Sequence, residues 1–364
     1  MSSNVCMCKY ASDFNERLRR FGAPWVSFMT KRRKTSMICL LVVLALIVIT
    51  IGSLIAVANS QNDKSEPSAE LSKWMSMIND ETLLKNVVIP GAHDAGTAGL
   101  SYLAETQDRD TAAMLACGIR YLDLRVAKTK DGELKIYHGP FKGVTLDSVL
   151  DAISEFLSKN RSEALILDFQ HFDGDAELDV QAKVLATVPV ITASGDFVEF
   201  VDGLTLGKAR GKCLILWGAD SSDDEVFLRR NNDGGTLPHT ALQSYYESSL
   251  NKKSSSVYVA EALPYYIGRY KQDGKGLFVL QGQLTDGLFV FGPHFREATH
   301  TKSMNTYVES LKDSPDLDII NIIMRDYVTP HKNCLALQLN LTKGIVKKDS
   351  VEVFQKMIDD NLRK

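Results

Sequence analysis

The sequence predicts an α/β protein: a TIM-type (β/α) barrel, regular or irregular in closure, preceded by one transmembrane helix. Short aliphatic or β-branched runs, each closed by a polar residue and a turn former, recur from Val87 onward and alternate with stretches of helical periodicity. About 300 residues follow the hydrophobic stretch, enough for one barrel of the usual ~250. From Ser36 to Ala58 the chain is apolar and carries no charge, the length and character of a membrane span.

The composition of the 364 residues, 45% hydrophobic and 24% charged, is that of a globular protein and excludes a disordered or fibrous chain. The formal charge of −3 hides an asymmetry, because residues 1–34 carry eight basic and two acidic side chains, leaving −9 on the rest. A basic tail on an acidic body suits two compartments and not a single nucleic-acid-binding surface.

In chain order, residues 1–35 form a basic tail in which Cys6 and Cys8 are candidates for reversible S-acylation. Residues 36–58 form the span. Lys31-Arg32-Arg33-Lys34 abuts its start and Asp63, Glu66 and Glu70 follow its end, so the positive-inside rule puts the tail in the cytosol and the body outside or in the lumen. Ala56-Val57-Ala58 resembles a signal-peptidase site, but the apolar core is longer than the 7–15 residues of a signal peptide. The expectation is an uncleaved signal anchor of a single-pass type II protein. Residues 59–72 are a polar stalk.

The barrel domain is expected over residues 73–364. Leu71–Leu84 predicts a lid helix, and Val87–Ile89 the first strand. A helix near Thr111–Cys117 precedes strands Tyr121–Val126 and Leu134–His138, which the Lys130-Asp131-Gly132 turn separates. Thr145 caps a helix with an apolar stripe from Leu146 through Leu157. Strand Ala164–Phe169, a helix over Leu178–Ala186 and strands Cys213–Leu216, Leu277–Leu280 and Ile319–Met324 follow, with Val257–Ala260 as the candidate eighth strand. Residues 219–256 predict a long loop and Ser350–Leu362 a final helix. The body's cysteines (Cys117, Cys213 and Cys334) allow at most one disulfide and show no zinc spacing, while Asn160 and Asn340 stand in glycosylation sequons.

Three strand ends carry the chemistry: His93 with Asp94, then Arg125, then His138. Singly, each residue reads as structural; together, two imidazoles and a guanidinium at one mouth suit acid–base chemistry on a phosphodiester. The His-Asp pair also opens the pattern of metal-dependent HD phosphohydrolases, but those pairs lie on helices, and this one follows Val-Val-Ile-Pro-Gly.

The segments Ile89-Pro90-Gly91-Ala92-His93-Asp94, Gly118-Ile119-Arg120-Tyr121-Leu122-Asp123-Leu124-Arg125 and Ile136-Tyr137-His138-Gly139 resemble the X-domain of phosphatidylinositol-specific phospholipases C, in its compact, bacterial-like form. Ala164–His171 and Asn321–Val328 fit less specifically. The resemblance runs from about Trp74 to about Tyr327. It implies His93 as general base, His138 as general acid and Arg125 as phosphate ligand, with Asp94 assisting the acid and Asp326 orienting His93. The substrate carries its own nucleophile, the inositol 2-hydroxyl, so the expected product is an inositol 1,2-cyclic phosphate. In the calcium-dependent relatives the second strand ends in Glu-x-Asp and Asn follows the first His. Here Asp123-Leu124-Arg125 and Asp94 stand in those places, so no metal and no cofactor is expected. Asp168, Gln170, Trp217, Gln281 and Tyr327, with Gln283 and Tyr265, are candidate contacts to the sugar or the rim; each is also open to a structural role, and for the three aromatics interior packing is the stronger reading.

The expected partners are an inositol phospholipid or a glycosylphosphatidylinositol-type lipid and a membrane, with no nucleic acid. Two other readings stand beside this one. A metal-dependent glycerophosphodiester or sphingolipid phosphodiesterase needs an acidic cluster where Arg125 stands. A non-catalytic lipid- or glycan-binding ectodomain has no need of paired imidazoles.

Overall fold

Eight parallel strands form the wall of the body in the computed structural model. In chain order the strands are β1 (Ile89–Ala92), β2 (Tyr121–Lys128), β3 (Leu134–His138), β4 (Phe141–Thr145), β5 (Leu165–Asp173), β6 (Cys213–Trp217), β7 (Phe227–Arg229), β8 (Leu242–Ser244), β9 (Leu277–Gln281) and β10 (Ile322–Arg325). The wall runs β7-β6-β5-β2-β1-β10-β9-β8, every neighbour parallel. Between β7 and β8 it is nearly closed by a bridge from Arg230 to Leu242, where Ala241 N–H reaches Arg229 O at 2.7 Å and Asn231 N–H reaches Leu242 O at 3.1 Å.

The structure describes residues 36–37, 39–50, 52, 65–218, 225–231, 240–251, 253–285 and 292–363. They divide into two units, residues 1–60 and 61–364. In the first unit the described residues from 36 to 52 are helical, with exposed apolar side chains such as Leu41 and Val48. Among the described residues no helix is long and apolar enough to cross a membrane. The remainder of the expected 36–58 span, the tail and residues 59–64 of the stalk lie outside the described residues.

Side chains alternate across the wall, as a pleated strand requires. Ile89, Tyr121, Ile166, Leu214, Leu216, Val279 and Ile322 fill the interior. Leu122, Leu124, Leu165, Leu167 and Ile215 face outward onto the helix Leu146–Lys159, whose stripe of Leu146, Val149, Leu150, Ile153 and Leu157 is buried. Thr145 caps that helix by accepting from Ser148 N–H, as its position predicts.

Four expectations change. The segment expected as a lid helix is a 3₁₀ helix, Ala69–Met77, with a short turn at Leu84–Asn86, and it closes the opposite end of the barrel. Trp74 Nε1 donates to Gly118 O at 2.9 Å and Met75 N–H to Glu163 Oε2 at 3.2 Å, both residues lying just before strands start. Its apolar residues Leu71, Trp74 and Met75 are wholly buried, so the amphipathic pattern marks a plug. Glu163 is neutralised there by Arg120 at 2.8 Å.

The third expected barrel strand, β3, runs antiparallel to β2 and outside the ring, forming with β4 a hairpin appended to it. A parallel neighbour needs a crossover of a dozen or more residues, and the short turn around Lys130-Asp131-Gly132 cannot supply one. Folding back returns His138 toward the level of Arg125, since Val126 pairs with Ile136.

The candidate eighth strand at Val257–Ala260 is helical, part of a run through a π turn at Tyr258–Ala262 into Leu263–Asp273. Tyr258, Ala262, Leu263, Tyr266, Ile267 and Tyr270 are its buried side chains, a helical and not an alternating spacing. The true eighth strand is β8, which with β7 lies inside the 219–256 tract expected to be loop.

Asn340 is not open to a glycan in the folded body. It is wholly buried and pairs with the Val88 backbone, accepting its N–H at 2.7 Å and donating to its carbonyl at 2.9 Å. Asn160, the C-cap of Leu146–Lys159, is the more accessible sequon. Cys117, Cys213 and Cys334 are buried, and no disulfide joins them to one another.

Candidate active site

The C-terminal ends of the strands open into a cavity of about 200 Å³. His93, Asp94, Arg125, His138, Gln170, Gln281 and Asp326 line it, together with Thr106, His171, Tyr246 and Gln283.

β1 delivers His93 and Asp94. His93 N–H is held by Arg325 O at 3.1 Å, and Asp94 then turns away at φ +44°, its own N–H meeting Asp123 Oδ2 at 3.2 Å. The returning loop fastens the turn: Gln107 Nε2 donates to His93 O at 2.8 Å and Arg325 O at 2.9 Å. A non-glycine residue in the left-handed region costs of order 1–3 kcal/mol and persists only where its surroundings over-determine it.

Each imidazole is anchored through Nδ1. His93 Nδ1 meets Asp326 Oδ1 at 2.7 Å, and a carboxylate accepts, so Nδ1 carries the proton. His138 Nδ1 donates to the Ala104 carbonyl at 2.8 Å. Both Nε2 atoms are thereby left toward Asp94 Oδ2, at 3.4 Å from His93 and 3.6 Å from His138. Arg125 Nε lies 2.6 Å from Asp94 Oδ1, and its Nη2 lies 3.4 Å from His93 Nε2 and 3.8 Å from Asp123 Oδ2.

These charges set one another. Burial works against the His93 imidazolium, but Asp94, Asp326 and Asp123 outweigh it and raise its pKa to about 9. At Asp94 burial is overcome by the Arg125 guanidinium and the two imidazoles, which hold the carboxyl at about 2. Asp123, wholly buried beside Asp94, is pushed up to about 7 by burial, against the pull of Arg125. Burial also raises Asp326, against the stabilising contact with His93.

His93, Asp94 and Asp123 place one imidazole and two carboxylate atoms within 4.8 Å of one another, a donor set that a cation accepts. Arg125 already puts a positive charge against both carboxylates.

Asp123 was not among the expected site residues. The signal was present: Tyr121, Asp123 and Arg125 alternate along β2, so all three face inward. Gln283, His171 and Tyr246 join the lining from positions after β9, late in β5 and after β8.

Four expected residues do not line the cavity. Asp168 is inward but a layer lower, wholly buried, with Oδ1 2.9 Å from Arg230 Nε and Oδ2 accepting from Tyr121 OH at 2.5 Å. Trp217 has outward parity and packs with Phe169, Phe172 and Phe227 at ring separations of 5.4, 4.4 and 4.9 Å. Tyr327 lies beside the site, its hydroxyl on Glu105 O and its ring 4.7 Å from that of His294. Tyr265 is on the outer helix Leu263–Asp273, 43% exposed.

Residues 83–189 match the family model described as phosphatidylinositol-specific phospholipase C, X domain. The 1-phosphatidylinositol phosphodiesterase of Listeria monocytogenes is 33% identical over 179 residues, 43% of this chain and 52% of that one. The protein of the same name from Staphylococcus aureus (strain Newman) is 30% identical over 216 residues, 50% of this chain and 67% of that one. The match thus spans about half the length of the first relative and two thirds of the second. The solved phosphatidylinositol-specific phospholipase C from Listeria monocytogenes superposes with a TM-score of 0.60 at 22% identity, covering 74% of this chain and 98% of that one, a likeness of fold. The wall of parallel strands, the site at their ends and the matched segments converge: the chain belongs to the phosphatidylinositol-specific phospholipase C X-domain family.

Proposed function

We propose that the chain is a phosphodiesterase of the phospholipase C type acting on an inositol phospholipid or a glycosylphosphatidylinositol-type lipid. One observation carries this reading: both imidazoles are tied down at Nδ1, and their two Nε2 atoms share a single cavity with one guanidinium.

His93 Nε2, when neutral, takes the proton of the inositol 2-hydroxyl. That oxygen forms the new bond to phosphorus, the bond from phosphorus to the glycerol oxygen breaks, and His138 Nε2 protonates the departing diacylglycerol. Arg125 faces the non-bridging oxygens, where a planar fork of donors matches two of them at once. Asp94 touches Arg125 and lies near both imidazoles, holding the positive groups in register. Asp326 keeps the His93 proton on Nδ1, so Nε2 has its lone pair free.

The sugar would meet carboxamides. Gln281 Nε2 donates to Ser244 Oγ at 2.9 Å and Gln283 Nε2 to Gln281 Oε1 at 3.3 Å. That leaves Gln283 Oε1, buried and with no hydrogen-bond partner among the described residues, as an acceptor for a hydroxyl. Gln170 is the third carboxamide on the lining.

On this reading the reaction needs no metal, because Arg125 supplies the charge. The uncharged run at residues 36–58 behind a basic cluster supports a type II anchor with the barrel outside or in the lumen, where glycosylphosphatidylinositol-type lipids are the accessible class. Incubating the protein with a panel of inositol lipids in chelator, followed by phosphorus NMR, tests the chemistry. A cyclic phosphodiester is expected; turnover only with added divalent cation would favour a metal-dependent reading through His93, Asp94 and Asp123.

A further inference from the structure

Behind Asp326, on the side away from the cavity, lies a charge cluster with no role in the steps above. Lys332 stands in the helix Pro330–Thr342 and is 8% exposed. Its ammonium makes three contacts: Glu297 Oε1 at 2.6 Å, Asp326 O at 3.0 Å and Tyr327 O at 2.7 Å. Glu297, on the neighbouring helix Gly292–Ser310, also accepts from Arg325 Nη2 at 3.0 Å and Thr301 Oγ1 at 2.8 Å. His300 follows on the same helix, its imidazole donating from Nε2 to Gly282 O and accepting at Nδ1 from Ser255 Oγ.

The two carbonyls identify what the ammonium does. Successive carbonyls of a strand point to opposite sides, so both reach one donor only where the chain turns. Tyr327 makes that turn at φ +44°, immediately after β10 has delivered Asp326. From the other side the turn is held by Tyr327 N–H on Thr106 O at 2.8 Å and Val328 N–H on Gln107 Oε1 at 3.1 Å. Stability alone is a poor reason for a buried ammonium, since an apolar side chain of similar volume is often as stable as a buried ion pair.

We propose that Lys332, neutralised by Glu297, is a positioning residue for His93: it fixes the turn after β10 so that the Asp326 carboxylate meets His93 Nδ1. The catalytic consequence rests on the acid–base reading given above; the geometry does not. Lys332 is not itself a lining residue and meets Asp326 only at the backbone carbonyl, so its loss should leave substrate binding intact while the orientation of His93 suffers.

The test has two independent readouts on the full chain. In proton NMR, the downfield His93 Nδ1 proton, identified by its loss in His93→Ala, should be present in the wild type and shifted upfield or exchange-broadened in Lys332→Met. In turnover of an inositol lipid, Lys332→Met should lose about 10²-fold in kcat with KM within twofold of wild type. Should Lys332→Met fail to melt cooperatively, Lys332→Arg is read in its place. It keeps the charge opposite Glu297 but cannot set one compact ammonium between two carbonyls, and the same two losses are expected. An unchanged His93 resonance overturns the proposal, as does a folded variant whose loss lies in KM. Wild-type protein that shows the resonance but turns over no inositol lipid overturns the functional reading and leaves the NMR comparison to decide the positioning role.

Discussion

Arg125 Nε lies 2.6 Å from Asp94 Oδ1, joining β2 to the residue after His93. The contact fixes where the guanidinium's remaining donors point. It also makes the position intolerant of a point charge. Arg125→Lys should lower kcat/KM by about 10²-fold or more, because an ammonium cannot hold Asp94 and grip two phosphoryl oxygens together. Retention of near wild-type kcat/KM by the lysine variant would remove Arg125 from the phosphate-binding role.

The pH dependence follows from His93. Its pKa of about 9 lies above the usual 6.5, so a base at this position is mostly protonated at neutral pH. The rate constant kcat/KM should climb close to tenfold per pH unit and level off near pH 9. The same shift is a stability statement. The imidazolium contributes up to about 3 kcal/mol, present in full below about pH 6.5 and lost as pH rises through about 9. Asp326→Asn should move the kinetic limb toward acid and shrink that pH-dependent stability; both are read from a pH series of rates and of urea midpoints.

His138 should separate from His93 by leaving group. His93→Ala should slow every substrate, since the 2-hydroxyl stays protonated whatever departs. His138→Ala should cost about 10²–10⁴-fold for a diacylglycerol leaving group and far less for a nitrophenolate, which needs little protonation. Equal losses on both substrates would show that His138 is not the acid.

These residues differ in how legible they are from the sequence, and the reason is physical. His93, Arg125 and His138 each close an apolar run, so local pattern alone reaches them. Strand parity reaches Asp123 and would have excluded Trp217, whose neighbours Leu214 and Leu216 face inward. The partnership of His93 with Asp326 spans 233 residues, and only the resemblance to a family brings the two together in advance. Lys332 is beyond any local signal, because a lysine near a helix start reads as solvated until the turn at Tyr327 is known. The barrel is legible from its long strands, while β7 and β8, three residues each, are too short to declare themselves within a polar tract.

Asn340 bears on both stability and topology. Asn340→Ala would strand the Val88 N–H and carbonyl in the core and should cost about 2–4 kcal/mol, read as a lower denaturant midpoint at unchanged slope. A glycan, if the body is luminal, is therefore expected at Asn160 and not at Asn340. Glycan-dependent mobility that Asn160→Gln abolishes would support the type II orientation. Digestion of the body by protease added to the cytosolic face of sealed microsomes would overturn it.

The nearly closed ring of strands is built without β3 and β4. His93 and the carboxamides therefore belong to the wall, and His138 belongs to a hairpin hung on its outside. On the proposed chemistry, tolerance for the lipid tail and recognition of the sugar are written into separate pieces of chain. A lineage can exchange the hairpin for one suited to another departing alcohol and keep its sugar pocket, so the two specificities are free to evolve at different rates.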